Sequence, residues 1–222
     1  MDPTQTLELQ DRILLATLPN VVFDGWTDHA LRGGAAAAEI APELVLHAFP
    51  GGSRDLAEHF AGWADRVMIE ALAAQNLEGL KTPERIKRAI RLRLEALTPH
   101  REALRRLTIW MGLPTNAALA ARVIYRSVDT LWFAVGDTAT DFSFYTKRAL
   151  LAGVFSSTIL YWLADDSEDF ARTWDFLERS MSNIVDVGKG LAKCGDLGQV
   201  LNWLPSPVRF ARHLRKRAAG QE

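Results

Sequence analysis

Residues 149 to 164, ALLAGVFSSTILYWLA, form a run without a single charge, closed by Lys147 and Arg148 on one side and by Asp165 and Asp166 on the other. Sixteen residues at 1.5 Å each fall short of the roughly 20 needed to cross a bilayer, so the run is expected as a helix enclosed by protein on nearly all sides. It is expected to be the central helix of its domain. Gly153, Ser156, Ser157 and Thr158 put small or weakly polar groups on it. They either make room for an apolar ligand beside Leu150, Val154 and Phe155, or pack closely with their hydroxyls bonded back to the helix. Upstream, Ala121, Ile124, Val128, Leu131, Trp132 and Val135 recur at helical spacing from 117 to 135. Gly136 can end that helix, and Asp141 is placed to cap the next.

The other elements also read as helices, and no alternating strand pattern of useful length appears. Residues 6 to about 23 carry Leu7, Ile13, Leu14, Thr17 and Leu18 on one face. Thr27 caps a second helix ending near Ala38, Pro42 opens a short third, and Ser53 caps a fourth reaching about Ala74. Thr82 and Pro83 begin another, with Ile86, Ile90, Leu94 and Leu97 as its stripe. Pro99 separates it from a helix holding Leu104, Leu107 and Met111, which Gly112 and Pro114 close. Ser167 caps a helix whose Phe170, Trp174, Leu177, Met181 and Ile184 pack on the core or on a second subunit. The fold class is therefore all-α, a helical bundle in one domain with an appendage. The expected divisions are 1–74, 75–187, a linker at 188–205 and a terminal helix at 206–222.

From Asp186 to Ser206 the glycines at 188, 190, 195 and 198 are expected to interrupt regular helix. The last segment, SPVRFARHLRKRAAGQE, sets Phe210, Ala211, Leu214 and Ala218 against Arg209, Arg212, Arg215, Lys216 and Arg217, with Trp203 and Leu204 just ahead. A basic amphipathic helix this short needs a surface to order it. A membrane interface fits both faces; docking on its own domain and binding a polyanion are the alternatives.

Net charge is −1 over 222 residues, 48% of them hydrophobic and 24% charged, which argues against a nucleic-acid binder dominated by overall charge. The segment from Trp26 to Arg54 has the outline of a helix-turn-helix and resembles the N-terminal domain of TetR-type repressors. Its charges are Asp28, Glu39 and Glu43 against Arg32 and Arg54, and Pro42 to Phe49, the recognition-helix position, has no Lys or Arg. Counterion release and base readout both lack their cations there. The lone Cys194 forms no intramolecular disulfide and no thiolate metal site by itself. Glu43 and His47 stand four apart without a second ligand pair, and His29, His59 and His100 have no acid or nucleophile at a telling spacing. No catalytic or metal residue is assigned. The N-terminus, MDPTQTLELQDR, has neither a signal peptide's regions nor an Arg-rich presequence, which suits a bacterial cytoplasm or a form with its presequence removed.

Three stretches are unusual enough to carry a family resemblance: WMGLP at 110 to 114, VDTLWFAVGDTATDFSFYTKRALLA at 128 to 152, and DDSEDFARTWDFLERSM at 165 to 181. Set within the helix-turn-helix outline, they resemble the ubiquinone-biosynthesis accessory proteins, the ninth of the coenzyme Q series. The resemblance implies a TetR-like homodimer without catalytic residues or cofactor. It further implies binding of an isoprenoid quinone, its precursor or a phospholipid, and presentation of the ring to a pathway hydroxylase. On matched motifs the hydroxylase contact falls on Asp129, Leu131, Trp132, Asp141, Phe144 and Tyr145. The lipid chamber is expected around Leu150, Val154, Phe155 and Tyr161, with Phe210 and Leu214 at its entrance. Trp203, Arg209, Arg212, Arg215, Lys216 and Arg217 would meet the membrane. The expected location is the bacterial cytoplasm, peripheral on the inner membrane, without nucleic acid as a partner. A TetR-type regulator with an apolar effector is the alternative.

Overall fold

The computed structural model describes residues 2–136 and 143–194; side chains at 143–146 and 185–194 are outside that description. Nine α-helices and no strand occur among the described residues: α1 (Pro3–Asp24), α2 (Asp28–Ala37), α3 (Pro42–Ala48), α4 (Ser53–Ala73), α5 (Thr82–Ala96), α6 (Arg101–Met111), α7 (Ala117–Ala134), α8 (Ser143–Ala164) and α9 (Ala171–Cys194). The architecture is all-α, as the sequence requires. Residues up to Met181 make one compact unit, and the packing below is within it.

α1 through α3 form the helix-turn-helix end. Ile13, Leu14, Thr17, Leu18 and Val21 of α1 are buried against Ala30, Leu31, Gly34 and Ala35 of α2. The approach is so close that a methyl group on Gly34 would lie 2.5 Å from the Thr17 Cα, which only glycine avoids. Thr27 caps α2 as expected, its hydroxyl accepting from the Ala30 N–H at 3.2 Å. Asp28 then accepts from the Ser53 N–H at 2.7 Å, tying the start of α2 to the start of α4. Gly52, at φ +62°, is the residue before α4, and Ser53 is the first residue of the helix rather than its cap. α3 places Leu46 outward at 68% exposure, beside an open groove of ≈ 690 Å³ whose walls include Leu31, Ala35, Ile40, Val45 and Phe49.

The larger part of the unit is built on α4, whose Leu56, Ala57, Phe60, Ala61, Ala64, Met68 and Leu72 are buried along one face against α5, α7 and α1. Trp26 joins the two ends, donating from its indole to the Ala103 carbonyl of α6 at 3.1 Å. Asn116 pins the turn after WMGLP: it accepts from Arg54 and donates to the Trp110 carbonyl. Two further expected boundaries shift. Lys81, not Thr82, precedes α5, and α9 runs through Gly188 and Gly190 to Cys194, where the sequence placed an interruption. Glycine costs a helix about 1 kcal/mol, an intrinsic preference that context overrides.

Candidate functional site

α7 and α8 pack as an antiparallel pair on α5 and form the candidate site. One face of α8, Leu151, Val154, Phe155, Thr158 and Trp162, is buried. Thr158 and Ser157 satisfy their hydroxyls on the Val154 and Gly153 carbonyls, the back-bonding that was one of the two alternatives for them. The other side of α8 departs from the expectation of burial on nearly all sides. Leu160 is 55% exposed, and Gly153, Ala164 and Tyr161 are exposed as well. Lack of charge predicts enclosure, but an uncharged flank is equally compatible with a surface that something else covers. No helix among the described residues is long and apolar enough to cross a membrane.

Within the residues expected to line a lipid chamber, Val154 and Phe155 lie in the core, whereas Leu150 is only partly covered. Tyr161 stands at the margin, stacked on Phe176 of α9 with ring centroids 4.7 Å apart. Phe210 and Leu214, together with Trp203, Arg209, Arg212, Arg215, Lys216 and Arg217, lie outside the described residues, as does Asp141. Phe144 and Tyr145 fall in the first turn of α8, their side chains outside the description. On α7, Leu131 is fully buried and Trp132 nearly so, while Asp129 is half-exposed and paired with Arg148 at 2.7 Å. The outward stripe of α7 is Tyr125, Asp129 and Phe133, four residues apart, with Phe133 at 80% exposure. Arg126 beside it pairs with Glu58 of α4 at 2.5 Å. Phe133 falls outside the apolar spacing of α7, which marks only the inward face.

Beneath α8 lies a buried polar cluster that sequence reasoning also missed. Arg93 of α5, 4% exposed, donates from Nε to Asp65 Oδ1 at 2.8 Å. The Ser127 hydroxyl of α7 donates to Asp65 Oδ2 at 2.7 Å, so one carboxylate of α4 holds two other helices. The guanidinium lies 5.1 Å from the centroid of the Phe155 ring. Position 93 shares the stripe of Ile86, Ile90 and Leu97 at spacings of three and four, which is the signal that could have exposed it.

The C-terminal end of α8 is held by arginines from α6. Arg101 donates to the Trp162 and Asp165 carbonyls, each at 2.5 Å, and Arg105 donates to the Leu163 carbonyl. These are the orphan acceptors of a helix end, met by cations where the helix dipole is negative. Asp165 then starts α9: it accepts from the Thr173 N–H and hydroxyl, at 2.9 and 2.6 Å, and from the Ser167 N–H and hydroxyl. Burial opposes its ionisation, but the Thr173 and Ser167 bonds outweigh burial and hold the carboxyl well below the usual carboxylate range. Ser167, expected as the cap, plays the smaller part, accepting from the Arg172 N–H at 3.2 Å.

No group of three or more His, Cys, Asp or Glu suited to a metal ion occurs among the described residues. The sequence model of the COQ9 family matches residues 117–188, which span α7, α8 and most of α9. The mitochondrial ubiquinone biosynthesis protein COQ9 of Bos taurus is 30% identical over 201 residues, covering 87% of this chain and 63% of the relative. COQ9-B of Xenopus laevis is 31% identical, covering 87% and 68%. The chain thus spans about 63% of the length of the bovine relative it matches. Among solved structures, a TetR transcriptional regulator from Nitrosomonas europaea superimposes with a TM-score of 0.63 at 19% identity, over 82% of this chain and 97% of that one. The fold is accordingly TetR-like. The expected bacterial cytoplasmic location is corrected by these relatives, which are named as mitochondrial proteins. The absence of an Arg-rich leader near Met1 was the ground for that expectation, and it says nothing about the compartment of a chain shorter than its relatives. At 30 and 31% identity over 87% of its length, the chain belongs to the COQ9 family of ubiquinone biosynthesis proteins.

Proposed function

We propose that this chain is a non-catalytic accessory protein of ubiquinone biosynthesis that binds an isoprenoid quinone precursor or phospholipid at a membrane and presents it to a ring hydroxylase. The observation that carries this reading is α8: a helix without charge from 149 to 164, with one face in the bundle and an apolar flank left open, in a family whose relatives are named for ubiquinone biosynthesis. The physical need is plain. At about 0.8 kcal/mol per buried CH₂, a polyprenyl tail of several units is retained in a bilayer, while ring chemistry requires polar groups. Leu150, Val154, Phe155 and Tyr161 supply the apolar contact, with Phe210 and Leu214 near the entrance. The cations of 206–222 add about 1 kcal/mol each near anionic lipid. Asp129, Leu131, Trp132, Asp141, Phe144 and Tyr145, now joined by Phe133, make the hydroxylase-facing corner. The chain would act as a homodimer.

Two measurements on the full chain test this. Mass spectrometry of lipids retained through purification is expected to find an isoprenoid quinone or phospholipid in stoichiometric amount, and removal of residues 206–222 is expected to abolish flotation with anionic liposomes. A chain that purifies without lipid and takes up none from vesicles would refute the lipid-binding role. Undiminished flotation of the shortened chain would refute the part given to the tail.

A further inference from the structure

Four buried side-chain nitrogens among the described residues have no acceptor: Arg93 Nη1, Arg101 Nε, Trp132 Nε1 and Trp162 Nε1. All are donors. Burying a donor without a partner is costly, and native interiors rarely tolerate it, so each is a candidate contact for an oxygen supplied from elsewhere. Arg93 is the one whose surroundings define what that oxygen is.

Its Nε is taken by Asp65 at 2.8 Å and its Nη2 reaches toward the Ala61 carbonyl at 3.4 Å, so the guanidinium edge facing α4 is occupied. Nη1 is the remaining corner of a rigid planar fork and points away from that edge. Ser127 fills the second Asp65 oxygen, which fixes the carboxylate and through it the guanidinium. The ring of Phe155, on the buried face of α8, lies beside the same guanidinium. A preset donor therefore adjoins the helix assigned above to the lipid.

Charge selects the ligand. Asp65 and Arg93 neutralise each other, so a carboxylate or phosphate placed on Nη1 would leave a net buried anion, whereas a carbonyl oxygen adds an acceptor and no charge. We infer that Arg93 Nη1 is the anchor for a neutral carbonyl oxygen on the ring of a quinone-type lipid, orienting the head group within the bundle. This rests on the lipid-binding reading and goes beyond it in naming the recognised atom.

The test measures binding of three probes to the full chain by isothermal titration calorimetry: decylubiquinone, decylbenzene, which has the tail but no acceptor, and decyl phosphate. The native chain is expected to prefer decylubiquinone over decylbenzene by about tenfold, the worth of one hydrogen bond from a charged donor, and over decyl phosphate as well. Arg93→Lys keeps a cation for Asp65 but removes the fork, and the pair Asp65→Asn with Arg93→Gln removes both charges together. In whichever of these retains native circular dichroism, the preference is expected to fall to near unity while decylbenzene still binds. A preference that survives in a folded variant would overturn the inference, as would equal binding of the first two probes by the native chain. Stronger binding of decyl phosphate would overturn the choice of a neutral oxygen. If no probe binds, the lipid-binding reading falls and this inference with it.

Discussion

His59 shows how much one side chain can owe to its neighbours. It lies on α4 between Asp11 of α1, at 2.6 Å, and the Phe49 ring, which it meets edge to face with centroids 5.6 Å apart. Burial lowers its pKa; the hydrogen bond and charge of Asp11 oppose that shift and the Arg66 charge adds to it. The neutral ring donating from Nε2 to the Asp11 carboxylate is thus the folded form near neutral pH. Because the folded pKa lies below about 6.5, the unfolded chain takes up the proton first as pH falls. Stability is full above about 6.5 and is lost through the window beneath it. Replacing His59 with Gln, which also donates, is expected to flatten the fall in Tm between pH 7 and 5, read by thermal melts in matched buffers; an unchanged slope would remove His59 as its source. None of this was legible in the sequence, since Asp11 and His59 are 48 residues apart. Asp165 was equally hidden. Reaching Thr173 requires the chain to turn sharply at Asp169 and Phe170, both at positive φ, and neither residue type announces that conformation.

Among the elements, helices with strong apolar periodicity and clear caps were readable from sequence, and those judged by lack of charge were not. α2 was set by the Thr27 cap, and α5 by Ile86, Ile90 and Leu94. α8 was placed correctly but its outer flank was misread. The α1–α2 contact offers a direct check on the packing. Gly34→Ala puts a methyl group against the Thr17 backbone, which cannot yield without parting the two helices; a loss of about 2 kcal/mol is expected from urea unfolding. Gly33→Ala meets only the movable Asn20 amide at 3.0 Å and is the matched control. Equal stability of the two variants would mean that the helices are not so closely set.

For the whole molecule, the TetR-like architecture followed from the helix-turn-helix outline and three long motifs, although the compartment did not. The frame is that of a DNA reader, yet α3 carries Glu43 and His47 with Leu44 and Leu46 exposed, where phosphates would demand cations. A gel shift with genomic fragments at low salt is expected to show no specific band. A band that survives competitor DNA would restore the regulator reading. What sequence pattern could not supply was the interior: which apolar residues face inward was readable, but that a carboxylate, a guanidinium and a hydroxyl from three helices meet there was not. Such a meeting depends on helix rotation and register, quantities that no single helix's residues record.

That meeting also limits how this protein can change over generations. Substituting any one of Asp65 or Arg93 strands the other charge in the interior, a step costing about 3 to 5 kcal/mol out of the 5 to 15 that a typical domain has in hand. A lineage leaves the arrangement only through two linked replacements, or after stabilising mutations elsewhere have made the intermediate survivable.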